Sequence, residues 1–552
     1  MTALGMAAKA TDLPPASLPL LTPSTGEKLM RIAVAGGGPG GLFFATMIRR
    51  LDPSSEVTVF ERNRADDTFG FGVVFSDRTL ADIHEADPVL REALDEHGRH
   101  WDDIEVRLKG EHIRCGGNGM TAIVRRTLLT LLQTHARHVG TELRFSTEVT
   151  LDDLAGYDLV VAADGTGSTI RDRLDDDFGI EVETAAAKFI WFGTDYLFDG
   201  LTFVHERGPD GVFAVHGYPI SNDMSTFIVE TDEASWRRAG LDAFDVSRPP
   251  GPSDMMSKAY LEKLFADQID GKRLLTNNSR WGNFRTRRTK RWHTLAPQPV
   301  VLLGDAAHTA HFSVGSGTKM AMDDAVALAH ALSEHGGDLP TALAAYERAA
   351  QPSVRKIQDS ARPSLSWWEH FGRYYDAFEP WQFAYHFLSR SITEARLARR
   401  APEFVQAARR SWVETNGAEP LRTPFESGGW QVKSRLVDIA TDADGTPTAV
   451  RAAHDLPLSA TARQGPWGAV LIAPDTEAGL PEVFARLADL PGPNGPVLIA
   501  VTGGTPLTRT LLCEQARMHQ HVPALLIEPG LDLDHAHTIL LSGRADLVGV
   551  PE

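Results

Sequence analysis

Three glycine- and aspartate-bearing segments lie far apart in this chain and could together hold a dinucleotide. They are Gly36-Gly37-Gly38-Pro39-Gly40-Gly41, Asp164-Gly165, and Gly304-Asp305-Ala306-Ala307-His308 running on to Gly315-Ser316-Gly317. The spacing G-x-G-x-x-G lets a chain turn tightly after a strand and packs the next helix on it. It also brings backbone N–H groups near a pyrophosphate, which then meets the positive end of the helix dipole. Gly36, Gly38, Pro39, Gly40 and Gly41 are therefore the candidate phosphate cradle. Glu61, twenty residues past Gly41, can accept hydrogen bonds from ribose hydroxyls, with Arg62 beside it. At the second segment, Asp164 can be held by backbone donors while Arg171 offers a positive charge to a phosphate. At the third, the carboxylate of Asp305, after Gly304, can accept a ribityl hydroxyl. Gly315, Ser316, Gly317 and Thr318 then open a helix whose N–H donors favour an anionic reduced flavin. Three such segments in this order point to FAD fed with electrons by a nicotinamide.

Positioning these residues requires strands that end at each segment. Arg31–Ala35, Glu56–Phe60, Leu159–Ala163 and Pro299–Leu303 are short apolar runs of the kind buried in a parallel sheet. Helices are expected over Leu42–Leu51 and Thr318–Ser333. Between the second and third segments, Phe203–His205, Gly211–His216 and Thr226–Glu230 fit strands of a mainly antiparallel sheet.

Length and composition narrow the function class. A chain of 552 residues exceeds one core, so two or three domains are expected. The formal charge of −18 argues against nucleic acid as a partner. No apolar run reaches membrane-spanning length, so no membrane association is expected. Two cysteines, Cys115 and Cys513, lie far apart, which suits a reducing cytoplasm and gives no metal-ligand spacing. No metal site is predicted. Residues 1–29 lack periodic apolar patterning and are expected to be a disordered tail.

With these motifs in hand, the chain resembles the class A flavoprotein aromatic hydroxylases, the family of 4-hydroxybenzoate hydroxylase, over about residues 30–415. The resemblance implies an α/β fold. A Rossmann-like FAD-binding domain of the GR2 type (30–184 and 291–416, the latter with a helical region) carries an inserted, mainly antiparallel substrate-binding sheet (185–290). It places Arg125 near the phosphates or ribityl chain and associates Asp164-Gly165 with both FAD and nicotinamide. The string GDAAHTAHFSVGSGTKMAMDDA lacks the proline usual after this run. It is similar to the aryl-CoA branch, which contains the salicylyl-CoA and 2-aminobenzoyl-CoA monooxygenases. Gly70–Asp77, Ser225–Glu230 and Trp381–Tyr385 are similar to that branch too. The expected activity is NAD(P)H- and O2-dependent hydroxylation of an electron-rich ring through a flavin C4a-hydroperoxide. The expected substrate is an aryl-CoA thioester such as salicyloyl-CoA, with NADH favoured over NADPH. Two alternatives remain: a tailoring hydroxylase of a free or carrier-bound aromatic natural product, and a flavin-binding scaffold without turnover.

On the substrate side, His216, with His308 and His311 beside the flavin segment, are candidates for proton relay, and His205 and Tyr218 for substrate contact. Arg285, Arg287 and Arg288 belong to a stretch of five positive charges in seven residues that could dock CoA phosphates. Residues 417–552 resemble an old-yellow-enzyme barrel in Pro420–Phe425 and Ser542–Val548. At 136 residues, against the roughly 250 of a closed eightfold barrel, they imply a shrunken remnant that does not bind FMN. Its expected roles are packing against the oxygenase or mediating a homodimer.

Overall fold

The computed structural model describes residues 29–552, apart from 69, 246–250, 316, 491, 493 and 494. Most of the tail predicted for residues 1–29, and Ser316, lie outside the described residues. Arg31–Ala35, Glu56–Phe60, Leu159–Ala162 and Val300–Leu302 form the centre of a six-stranded sheet. They pair in parallel, with Glu142–Arg144 on one edge and antiparallel His293–Thr294 on the other. Burial on both faces explains their unbroken apolar runs: Ile32, Val34, Leu159, Val161, Val300 and Leu302 are inaccessible to solvent or nearly so. The helices Pro39–Leu51 and Gly317–Glu334 pack together on this sheet. Its parallel strands bring all three dinucleotide-binding segments to their carboxyl ends, where open α/β sheets bind ligands.

The second sheet has eight strands. Leu201–Gly208, Gly211–Pro219 and Ser225–Thr231 form the predicted antiparallel centre, and the 15-residue strand Ile180–Thr194 joins Ser225–Thr231 to Gly282–Thr289. This sheet also recruits Ile104–Leu108 and Glu111–Cys115, from within the region assigned to the first half of the FAD-binding domain. One face packs Phe213, Val215, Phe227 and Val229 against Leu261 and Phe265. The other carries His216, Tyr218, Thr226, Ile228 and Glu230, alternating along the same strands. A 39-residue helix, Leu339–Ala377, begins at an Asp338 cap and crosses behind this polar face. Its Trp367 and Trp368 pack with Phe203 and Phe387, so the aromatic residues of the predicted helical region serve as core.

The carboxyl-terminal region closes into a barrel of seven strands, from Leu436–Thr441 to Leu547–Pro551, which pair in parallel to complete the ring. Ile439, Val450, Leu498, Ala500 and Leu525 fill its interior. Outward-facing Leu471, Ile499 and Val501 meet the helices Leu480–Ala488, Pro506–Met518 and Leu533–Leu541. The barrel is fastened to the rest of the chain by Tyr374 donating to Glu514 (2.6 Å), Glu514 with His386 (3.0 Å), and Arg544 donating to Ser389 Oγ (3.0 Å). Among the described residues no helix is long and apolar enough to cross a membrane, and no cluster of His, Cys, Asp and Glu could hold a metal ion.

Candidate functional site

The first glycine turn has the shape its spacing predicts. Gly36 N–H donates to Phe60 O (2.8 Å), and its backbone sits at φ +112°, where a side chain is strained. A Cβ on Gly36 would lie 2.2 Å from Ala163 O, one on Gly41 2.2 Å from Gly36 O, and one on Gly40 2.6 Å from Leu303 Cδ2. At Gly38, the N-cap of the helix, a Cβ would meet nothing within 4 Å. Three glycines therefore close the packing, and the fourth leaves an open approach to the helix N-terminus, as a pyrophosphate requires. Glu61 stands at this turn, accepting from Gly37 N–H (2.8 Å) through one oxygen and from Asn63 through the other. Arg62, next to it, is exposed.

The second and third segments face this turn from adjacent strands. Asp164 Oδ2 accepts from Thr169 N–H (3.0 Å), while its Oδ1 is buried with no partner, and burial raises the carboxyl above its ordinary range. Gly165 borders open space. Asp305 is exposed in the groove at the end of its strand. Arg125 lies within electrostatic reach of both Asp305 and Tyr218, and burial lowers its guanidinium pKa. Gly315, at φ +61°, precedes the helix that Gly317 and Thr318 begin. The unpaired Asp164 oxygen, the uncrowded Gly38 and the exposed Asp305 suit the hydroxyl and phosphate groups of FAD.

Two expectations about charge require correction. Arg171 does not offer itself to a phosphate. It is 2% exposed and bonds Ala306 O and Thr166 O (both 3.1 Å) and Asp172 (2.7 Å), bracing the second segment against the third. Nor do the charges around Arg285 form one dock. Strand alternation sends Arg287 inward to Asp305 O (3.2 Å) and Arg288 to the opposite face, where it pairs with Asp359 (3.1 Å). Lys290 is paired with Glu181, whereas Arg285 is exposed.

The histidines divide into two groups. His308 turns away from the polar face: its Nε2 contacts Asp324 Oδ2 (2.7 Å), which also accepts Gly304 N–H (3.0 Å), and its ring leans on Trp292. It locks the third segment and is not placed for the predicted relay. His205 is enclosed by Trp367, Trp368, Phe371, Phe383 and Phe387, and burial lowers its pKa to about 3. It is likewise shut off from substrate. His216 and His311 do come together, around a residue given no role in the sequence reading. Glu230 Oε1 lies 2.8 Å from His216 Nε2 without hydrogen-bond alignment, and its Oε2 is 3.8 Å from His311 Nε2. Burial pushes the Glu230 carboxyl well up and both imidazoles down, so the cluster is neutral. Tyr218 shares this face, stacked on Trp101, with its pKa raised by burial to about 12. Thr226 Oγ1 is also buried without a partner. Unpaired polar atoms gathered on one buried face are what a hydroxylated aromatic ligand would satisfy. The signal for Glu230 was an acid ending the apolar run Phe227-Ile228-Val229.

Comparison with known proteins agrees with this architecture. Salicyloyl-CoA 5-hydroxylase from Streptomyces sp is 55% identical over 529 residues, covering 94% of this chain and 99% of that protein. The 3-hydroxy-4-methyl-anthranilyl-[aryl-carrier protein] 5-monooxygenase of Streptosporangium sibiricum is 38% identical over 338 residues, or 61% of this chain and 89% of that one. Among solved structures, 2-methyl-3-hydroxypyridine-5-carboxylic acid oxygenase shares the fold at 20% identity and a TM-score of 0.50, covering 66% of this chain and 99% of that one. Residues 30–361 match the family described as FAD binding domain. With its glycine cradle, its three converging segments and these relatives, the chain belongs to the FAD binding domain family.

Proposed function

We propose that this chain hydroxylates an electron-rich aromatic ring carried on coenzyme A, converting salicyloyl-CoA to gentisyl-CoA with NADH and O2. The observation that carries this reading is the 55% identity to a protein named for that substrate, sustained over 94% of the chain. FAD, when bound, accepts hydride from the nicotinamide and activates O2 for transfer of one oxygen atom. The chain's own residues bind and orient. Gly36 to Gly41 and the N-terminus of the following helix receive the pyrophosphate, Glu61 the ribose, Asp305 and Arg125 the ribityl region, and Gly315 to Thr318 the ring system. Asp164 and Gly165 complete the cofactor groove. On the opposite wall, neutral Glu230 lies with Oε1 2.8 Å from His216 Nε2, so the pair offers a donor and an acceptor to a ring hydroxyl. Tyr218 and His311 flank it, and the aromatic residues around them exclude water.

In this reading, 30–184 and 291–416 hold the cofactor and 185–290 the substrate. Residues 417–552 are a shortened relative of the old-yellow-enzyme barrel that has lost FMN. NADH consumption in air, with salicyloyl-CoA set against free salicylate, tests the assignment. Acceleration by the thioester alone supports it, and equal response to both or to neither refutes it.

A further inference from the structure

A cavity of about 400 Å³ lies at the seam between the barrel and the helices Leu339–Ala377 and Pro380–Leu388. That is enough for a small-molecule ligand. Arg390, Arg396 and Arg544 line it, together with an apolar strip of Ile392, Leu507 and Leu511. Arg544 is 9% exposed and is held by Ser389 Oγ and His386 O (2.9 Å), both neutral acceptors. Arg390 donates to Ser364 Oγ (2.8 Å) and Phe387 O (2.7 Å). Neither guanidinium makes a salt bridge among the described residues, although Glu514 lies within electrostatic reach of Arg544 and Glu230 within reach of Arg390. Burial, and then the charge of Arg544, push Arg390 down to about 9. The buried acid of the seam, Glu514, is taken up by His386 and Tyr374. Three arginines against the one carboxylate of the lining, Glu514, leave the cavity with an excess of positive charge that favours an anion.

We propose that this seam cavity receives the phosphate-bearing end of the coenzyme A handle, with Arg390, Arg396 and Arg544 as its anion partners. This rests on the thioester reading above. Three observations fix the ligand class. First, the partition between cavity and aromatic site is one layer of side chains: Arg390 bonds Ser364, Ser364 bonds Ser313, and Ser313 bonds His311, each at 2.8 Å. Arg390 is thus linked through two serines to His311, which borders Glu230. Second, the barrel supplies half of the cavity wall, through Leu507, Leu511 and Arg544. It lies within the span shared with the CoA-thioester hydroxylase, whereas a 338-residue match to the carrier-protein enzyme cannot run from the glycine turn to the barrel. Both handles contain phosphopantetheine, but only CoA adds the nucleotide phosphates. Third, strand alternation splits the basic strand: Arg287 turns inward to Asp305 O and Arg288 pairs with Asp359 on the other face, so it presents no convergent cluster like that of the seam.

The test compares salicyloyl-CoA with salicyloyl-N-acetylcysteamine, which lacks every phosphate, in wild type, Arg390→Gln and the rim variant Arg396→Gln. Arg396 is exposed, so its replacement does not endanger folding. The expected result is a KM for the CoA thioester that rises about tenfold more than that for the short thioester, equivalent to about 1.4 kcal/mol. Inhibition by free CoA should weaken in parallel. If wild type prefers the CoA thioester but both variants keep its KM ratio, the seam inference fails and the substrate reading stands. If wild type shows no preference between the two thioesters, the CoA reading falls and this inference with it.

Discussion

Two alanine substitutions three residues apart in the same turn should have opposite consequences. At Gly41, an added Cβ would lie 2.2 Å from Gly36 O, so a backbone carbonyl would have to retreat by roughly 1 Å in a close-packed turn. Overpacking of this kind costs about 1–3 kcal/mol, so Gly41→Ala should destabilise the apoprotein by about 2 kcal/mol. At Gly38, the added Cβ meets nothing within 4 Å, and φ is −76°. The lost chain entropy of the unfolded state and the poorer N-cap nearly cancel, leaving apoprotein stability within about 0.5 kcal/mol of wild type. The Gly38 methyl group does, however, occupy the approach to the helix N-terminus. FAD affinity should fall at least tenfold, about 1.4 kcal/mol. Denaturant unfolding of both apoproteins, paired with FAD titration by fluorescence, separates the two effects. Wild-type FAD affinity in Gly38→Ala would show that the phosphates do not enter there, and wild-type apoprotein stability in Gly41→Ala would refute the packing account.

Further expectations concern the braces and the polar cluster. Arg171→Met leaves Ala306 O and Thr166 O without their buried donor, so apoprotein stability should fall by about 3 kcal/mol, checked by denaturant midpoint. Glu230 has a raised pKa in the fold, so its contribution to stability is fully present below about pH 4.5 and is lost as pH rises through the folded value. Glu230→Gln should therefore gain stability relative to wild type as pH climbs above that range, and parallel curves would contradict the neutral-cluster assignment. His308→Gln should lower thermal stability and FAD retention by loosening Asp324 from the Gly304 turn, checked by melting temperature and FAD titration.

The cofactor half of the fold was legible because parallel strands buried on both faces write themselves as apolar runs, and the glycines follow them directly. Ile32 to Ala35 and Leu159 to Ala162 needed no distant information. The polar cluster was only half legible. His216 and His311 stood out as residue types, but Glu230 meets them only through the register that sets His216 across from Ile228. His308 looked equally suited to a relay until Asp324, sixteen residues later, proved to be its partner. Closure of the barrel was invisible for the same reason, since Leu436–Thr441 and Leu547–Pro551 are joined across the whole carboxyl-terminal region. Composition suggested a basic dock at Arg285 to Arg291, but strand alternation dispersed it.

The most direct measurement of the central claim is the fate of oxygen. Salicyloyl-CoA, NADH and the FAD-loaded protein are incubated under 18O2 and the product is analysed by mass spectrometry and NMR. The account predicts one 18O atom, on the carbon para to the existing hydroxyl, with none acquired from labelled water in the converse experiment. Unlabelled product, or NADH consumed with the thioester unchanged, would contradict it.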